Sequence, residues 1–415
     1  MARHPNHDHP VTHRYVADMA KLGYPVVAAL VALTLAAGTA SADSFYTAQA
    51  NRIAGEHGSI IRSQSLDGDP ALPGARNYLV LYRSVDLQGR TVAVSGTLAV
   101  PEGSPPQGGW PLISFAHGTT GVADACAPSR DTGPDYPSHD YTSGVRRTQA
   151  RWIAAGYAVA QTDYQGLGTG GPHGYLIGET EQRAVADMAL AARRIDANIG
   201  DRWIAMGHSQ GGQAALFTDA RAQQWAPELR LLGAVALAPA SHQGLALQAG
   251  QLGAATGSSG AIAALTGGGA TPFIPLIVRG AQTAAPIDPA RFLTPRAQEL
   301  LPLANTYCIG DLRDADKWGG LPGGEVFAPT ADMSAFLDVL AQNDPSGLTF
   351  PQPVLVLQGR ADTTIPAVAT DAMVAQQRAA GQPVDYRTYQ GVDHRGVLDA
   401  SFADTLAWVN ARFGR

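Results

Sequence analysis

Apolar positions divide the chain into stretches of period two and stretches whose period is close to four. The segment "ARNYLVLYRSVDLQGRTVAVSGTLAVP" (75–101) alternates on both sides of Gln88-Gly89 and predicts two long strands paired antiparallel. After it, short apolar runs alternate with helical stretches. The runs "PLISFA", "YAVAQTDY", "WIAMG", "LLGAVALA", "PVLVLQG" and "VDYRTY" read as strands. The stretches "TQARWIAAG", "TEQRAVADMALAARRI", "QAALFTDARA", "ATDAMVAQQRAAG" and "ASFADTLAWVNARF" read as helices. In the second of these, Val185, Met188, Ala189 and Ala192 share one apolar face. Strands apolar on both faces and separated by helices predict an α/β fold. Its central sheet is mostly parallel, helices cover both sides, and an antiparallel pair leads into it.

Between about Pro239 and Thr349 the alternation stops. From Ser241 to Pro286 the single formally charged side chain is Arg279, although "RAQELLPLANTYC" further on reads as helical. The simplest organisation is a core in two parts, 43–238 and 350–415, with residues 239–349 inserted as a helical cap over the carboxyl edge of the sheet. A separate small domain with no part in the chemistry is the alternative. No internal repeat appears.

The first 42 residues follow another pattern. The apolar run "VVAALVALTLAA" (Val26 to Ala37) is preceded by Lys21 and followed by "GTASA", in which Ala40 and Ala42 form the A-x-A pattern of a signal-peptidase site. Residues 1–42 are therefore expected to be a signal peptide, with a mature chain starting at Asp43 in the extracellular space or periplasm. A buried helix or membrane anchor is the alternative. Met19 is the expected true start, which makes the upstream stretch with His4, His7, His9 and His13 a start-site artefact rather than a metal-binding tail.

Composition narrows the function classes. Of 415 residues 45% are hydrophobic and 15% charged, as in a globular chain with a large core. The net charge of −6 becomes 26 − 33 = −7 once residues 1–42, with three basic and two acidic side chains, are removed. That balance lacks the basic face of a nucleic-acid binder. Cys126 and Cys308 are the two cysteines, and an even count in an oxidising compartment favours one disulfide. Neither H-E-x-x-H nor a dinucleotide fingerprint opening a helix is present, so no metal and no cofactor is expected. The Gly-rich "TGGGAT" (266–271) lacks the lysine and the preceding strand of a phosphate loop.

The chemistry gathers around "GHSQGG" (207–212), a match to G-x-S-x-G between an expected strand and an expected helix. In such an elbow the turn strains the serine backbone, and small residues at Gly207 and Gly211 let neighbouring segments pass. The Ser209 hydroxyl is then lifted above the sheet at a helix N-terminus, where the dipole favours developing negative charge. A fold of this kind needs its partners in the order acid, then histidine. "RADTTIP" places Asp362 just past a strand, and "QGVDHRG" places His394 past the next one, on the same sheet edge as Ser209. Taken singly, Asp362 is an ordinary turn aspartate and His394 a loop histidine; order and context favour a triad. Asp393 adjoins His394 but cannot easily orient its neighbour's ring. His117 and His208 are weaker rivals for the base, and His208 should point away from the substrate face. Oxyanion donors are expected from the backbone N–H of Gln210 and from the loop "HGTTGVADACAPS". There Gly118 permits close approach, while Thr119 and Thr120 are the candidate donors, through a backbone N–H or a hydroxyl.

The set "HGTTGVADACAPS", "DYQGLG", "GHSQGG", "GRADTTIP" and "GVDHRG" resembles the secretory lipases of the α/β-hydrolases, from about residue 70 to the end. The resemblance implies a capped α/β-hydrolase that cleaves carboxylic esters without metal or cofactor, with Ser209 as nucleophile, Asp362 as acid and His394 as base. It puts the second oxyanion position at about Thr120, where a yeast member of the family has an acidic residue. It also implies a Cys126–Cys308 bridge; a second bridge of that yeast protein has no cysteines here. The expected function is thus a secreted lipase or esterase acting on apolar acyl esters. Its partners are small-molecule or lipid esters and, transiently, a lipid interface, with no nucleic acid and no obligate protein partner. An acyltransferase or peptidase on the same fold, or a non-catalytic binding protein, is the alternative.

Overall fold

Among the described residues nine strands form one sheet, in the order β1 (Ile60–Ser65), β2 (Ala75–Val85), β3 (Thr91–Pro101), β5 (Ala158–Thr162), β4 (Trp110–Ala116), β6 (Ile199–His208), β7 (Arg230–Leu237), β8 (Val354–Gly359), β9 (Val384–Tyr389). The structure is a computed structural model that describes residues 45–256 and 269–415. The expected signal peptide with its alternative start, and part of the "TGGGAT" segment, lie outside the described residues. The chain divides into two units, Met1–Phe45 and Tyr46–Arg415, and every element below belongs to the second.

Strands β1 (Ile60–Ser65), β2 (Ala75–Val85), β3 (Thr91–Pro101) and β5 (Ala158–Thr162) pair antiparallel in that order. From β5 onward all pairing is parallel, through β4 (Trp110–Ala116), β6 (Ile199–His208), β7 (Arg230–Leu237), β8 (Val354–Gly359) and β9 (Val384–Tyr389). The β2–β3 ladder runs unbroken from Ala75↔Pro101 to Val85↔Thr91, as the alternation about Gln88-Gly89 predicts. β4, β5 and β8 are buried along their whole length, which explains their unbroken apolar runs.

The connecting helices are α1 (His139–Ala154), α2 (Gly178–Ile195), α3 (Gln210–Trp225), α4 (Gln243–Thr256), α5 (Ile274–Ala284), α6 (Pro295–Leu300), α7 (Ser334–Gln342), α8 (Ala367–Ala379) and α9 (Phe402–Phe413). Val185, Met188, Ala189 and Ala192 of α2 are all fully buried, as their shared face predicts. Two elements differ from the sequence pattern. β1 is an edge strand whose residues are at best half-buried, so "IIRSQS" carries no full alternation. Helix α1 begins nine residues before "TQARWIAAG", because its first turns are polar, contain Gly144, and bury little beyond Tyr141, Thr142 and Val145.

Among the described residues, the chain between β7 and β8 forms no strand of the sheet. It contributes most of a separate apolar cluster, including Ile274, Ile277, Phe292, Trp318, Phe327 and Phe336. Tyr175, Leu176 and Ile177 from the loop before α2 join the same cluster. Cys126, after β4, is bonded to Cys308 in this insertion. Among the described residues no helix is long and apolar enough to cross a membrane.

Candidate active site

β6 ends at His208 and α3 begins at Gln210, which leaves Ser209 alone in the turn with φ 60° and ψ −119°. A side chain rarely adopts that conformation unless its surroundings enforce it. The enforcement is visible on both sides. Ser209 N–H donates to Leu237 O (2.9 Å), and its carbonyl accepts from Gly212 (2.9 Å), Gln213 (3.2 Å) and Ala240 (3.1 Å). A Cβ on Gly207 would lie 2.1 Å from Gly211 O, and one on Gly211 would lie 1.9 Å from Ala116 O. Neither position admits a side chain without driving α3 off the sheet.

Asp362 follows β8 and is buried. Its Oδ1 accepts from Thr364 N (2.8 Å) and Ile365 N (2.9 Å). Its Oδ2 accepts from Gln358 Nε2 (3.0 Å) and from His394 Nδ1 (2.7 Å). The His394 ring is thereby oriented with Nδ1–H toward the carboxylate and Nε2 left free to accept a proton. The two loops are tied by Ala361 N to Val392 O (2.9 Å) and Arg360 N to Tyr389 O (2.9 Å). Asp393 is exposed, and its Oδ1 caps the turn by accepting from Gly396 N (2.7 Å). No hydrogen bond among the described residues joins Ser209 Oγ to His394.

Both rival histidines have structural partners. His117 is buried, with Nδ1 against Gly118 O (2.6 Å), and burial lowers it to about 4. His208 is fully buried beside the His394 ring, with centroids 4.5 Å apart. Its Nε2 donates to His394 O (2.7 Å) and its Nδ1 accepts from Tyr141 OH (3.0 Å). Burial holds it well below the usual imidazole range, so it stays neutral. His208 is a strut between the serine turn and the His394 loop.

On the opposite side, Gln210 opens α3, where a backbone N–H has no partner within the helix. The Gly118 N–H is already donated to Tyr141 OH (2.6 Å). Thr119 lines the cavity above Ser209 and bonds Tyr175 OH through Oγ1 (2.7 Å). Thr120 is fully buried away from that cavity, and its carbonyl accepts from Ile309 N (2.8 Å), next to the disulfide. Of the three loop residues singled out in the sequence, Thr119 is the one that faces the cavity.

That cavity encloses about 750 Å³ between the serine turn and the insertion. Ser209, Thr119, Tyr175 and Arg313 provide polar lining, while Leu245, Leu247, Phe273, Ile277, Phe327 and Ile365 provide much of the apolar wall. Asp362, His394 and Gln210 do not line it. Among the described residues no His, Cys, Asp and Glu side chains group as metal ligands.

A mostly parallel sheet with a strained serine between β6 and α3, and with Asp362 after β8 and His394 after β9, has the α/β-hydrolase fold. The family model of the secretory lipases matches residues 148–268. That match contains Ser209 but neither Asp362 nor His394. Lipase A of Moesziomyces aphidis is 28% identical over 201 residues, 46% of this chain and 41% of that protein. The chain thus aligns with less than half the length of this curated relative. Among solved structures, Candida antarctica lipase A in its closed state superposes with a TM-score of 0.68 at 19% identity, covering 90% of this chain and 86% of that one. The rice cell wall degrading esterase LipA of Xanthomonas oryzae gives 0.65 at 19% identity, covering 86% and 98%. At such identities these two likenesses establish the fold alone.

Proposed function

We propose that the protein is a serine hydrolase of carboxylic esters, with Ser209 as nucleophile, His394 as base and Asp362 as its orienting acid. The observation that carries this reading is the His394 Nδ1–Asp362 Oδ2 bond of 2.7 Å on the sheet edge where Ser209 is held in its strained turn. The names of the family and of the lipase A relative agree with it.

In this mechanism His394 Nε2 takes the Ser209 proton as Oγ attacks the ester carbonyl. The carbonyl oxygen becomes an oxyanion held by the N–H groups of Gln210 and Thr119, each such donor being worth roughly 10²–10³ in rate. Asp362 keeps the ring in the Nδ1–H tautomer and stabilises the imidazolium. His394 then protonates the leaving alcohol, and the acyl group stays on Oγ. Water, deprotonated by His394, attacks the acyl-enzyme, and the acid leaves as Ser209 recovers its proton.

The insertion 239–349 acts as the cap over this centre, and its apolar wall selects esters of apolar acids. The chain is exported, with residues 1–42 removed; secreted material should begin at or close to Asp43, and amino-terminal sequencing that finds the apolar run retained would overturn this. The central experiment combines p-nitrophenyl ester turnover with labelling by a fluorophosphonate. Turnover and label should both be present in the wild type and absent from Ser209→Ala. A wild type inert to both reagents would reject the reading.

A further inference from the structure

Below the proposed oxyanion site lies a set of polar side chains that the reaction above does not use. Glu181, in the first turn of α2, is 1% exposed and forms no ion pair among the described residues. Its Oε1 accepts from Gln210 Nε2 (2.8 Å) and from Leu176 N (3.0 Å). The other hydrogen of Gln210 Nε2 points at His173 Nε2 (3.0 Å), and His173 Nδ1–H donates to Gln165 O (2.8 Å). His173 is therefore the Nδ1–H tautomer, and burial lowers it to about 3, so it carries no charge near neutrality.

The groups facing this set from the neighbouring elements are also uncharged. Tyr164 stacks on the His173 ring, with centroids 5.7 Å apart, and Tyr175 meets its edge at 6.1 Å. Both hydroxyls are engaged, Tyr164 with His117 O (2.8 Å) and Tyr175 with Thr119 Oγ1 (2.7 Å). Among the described residues no lysine or arginine contributes to the environment of the Glu181 carboxyl. Glu181 Oε2 and Gln210 Oε1 are buried with no hydrogen-bond partner among the described residues. A carboxylate here would be a buried charge without compensation.

We infer that Glu181 is a positioning residue for the oxyanion site, acting through the Gln210 side chain and doing so as the neutral acid. The inference rests on the function proposed above. Gln210 is the first residue of α3, so an amide held by both Glu181 and His173 fixes the direction of its backbone N–H. Ionised, Glu181 would set a negative charge one side chain away from the oxyanion, in surroundings that screen it poorly. It would repel the transition state and leave the neutral ester largely unaffected, so the loss falls on kcat and not on KM. Burial pushes Glu181 up to about 8, so the neutral acid prevails at neutral pH and is lost as pH rises through that value.

The test is kcat and KM from neutral pH to about pH 9.5 for the wild type, Glu181→Gln and Gln210→Met, each normalised by fluorophosphonate titration of active sites. The wild type should lose roughly tenfold in kcat, centred near the Glu181 midpoint, with KM steady. Glu181→Gln keeps an acceptor for Gln210 but cannot ionise, and its alkaline decline should vanish. Gln210→Met keeps the backbone N–H but removes the bond that favours the carboxylate. Its kcat should fall at neutral pH with KM retained, and its decline should move to higher pH; this variant decides the matter if Glu181→Gln fails to fold. An unchanged alkaline decline in Glu181→Gln, or a wild type fully titrated yet flat in kcat, would overturn the inference. Absence of titratable sites in the wild type would instead reject the hydrolase reading itself.

Discussion

The sheet and the insertion between β7 and β8 are built by different rules. In the sheet every strand has a hydrogen-bonded neighbour in fixed register, and the apolar runs are dictated by that ladder. Among the described residues of the insertion the one strand-like pairing is an isolated bridge, Leu293↔Phe327. Its described residues cohere through a common apolar cluster and the bond to Cys126. The strained turn and the Asp362–His394 pair belong to the first region, while most of the cavity wall belongs to the second. On the proposed roles the first fixes bond-making geometry while the second varies what reaches it.

If the division is right, changes on the sheet edge should be the most severe. Ser209→Ala and His394→Ala should each lower kcat by a factor on the order of 10⁶, and Asp362→Asn by about 10⁴. Asp393→Asn should leave kcat nearly unchanged, since its carboxylate caps a turn and does not reach the ring. Comparable damage at Asp393 and Asp362 in steady-state kinetics would reject the assignment of the acid.

The next effect concerns the join between the regions. The Cys126–Cys308 bond closes a span of 182 residues, worth up to roughly 5 kcal/mol in the chain-entropy model. Cys308→Ser should lower the denaturation midpoint markedly. Two thiols titratable in the native oxidised protein would remove the bond from consideration.

The smallest expected effect tests the insertion alone. Each methylene buried against its apolar wall should add about 0.8 kcal/mol, so kcat/KM should climb about fourfold per carbon until the cavity is full. A p-nitrophenyl series from acetate to palmitate measures this. A flat profile, or one that falls steadily from acetate, would mean that the wall packs internally and does not meet the acyl chain.

The same contrast explains what could be read from the sequence. The hairpin at 75–101 and the later strands are legible because one periodicity spans each element, and the candidates Ser209, Asp362 and His394 stand out because local motifs follow strand ends. The insertion is not legible, since Gly- and Pro-punctuated turns leave no period to count. Tyr141, His173 and Glu181 were missed for another reason: their partners lie far away in the chain. Glu181 did leave a trace. It occupies the same helical face as Val185, Met188 and Ala192, an acidic residue where the pattern calls for an apolar one.

The strut from His208 to His394 O closes a separation of 186 residues, and Asp362 enters only after the whole insertion. In time rather than space, the serine is synthesised long before its base. A nascent chain therefore carries the Ser209 hydroxyl without His394 through nearly half of its elongation, and the site cannot assemble before residue 394 is made. On the proposed roles the polypeptide needs no separate inhibitor while it is being made, since the order of translation already withholds its activity.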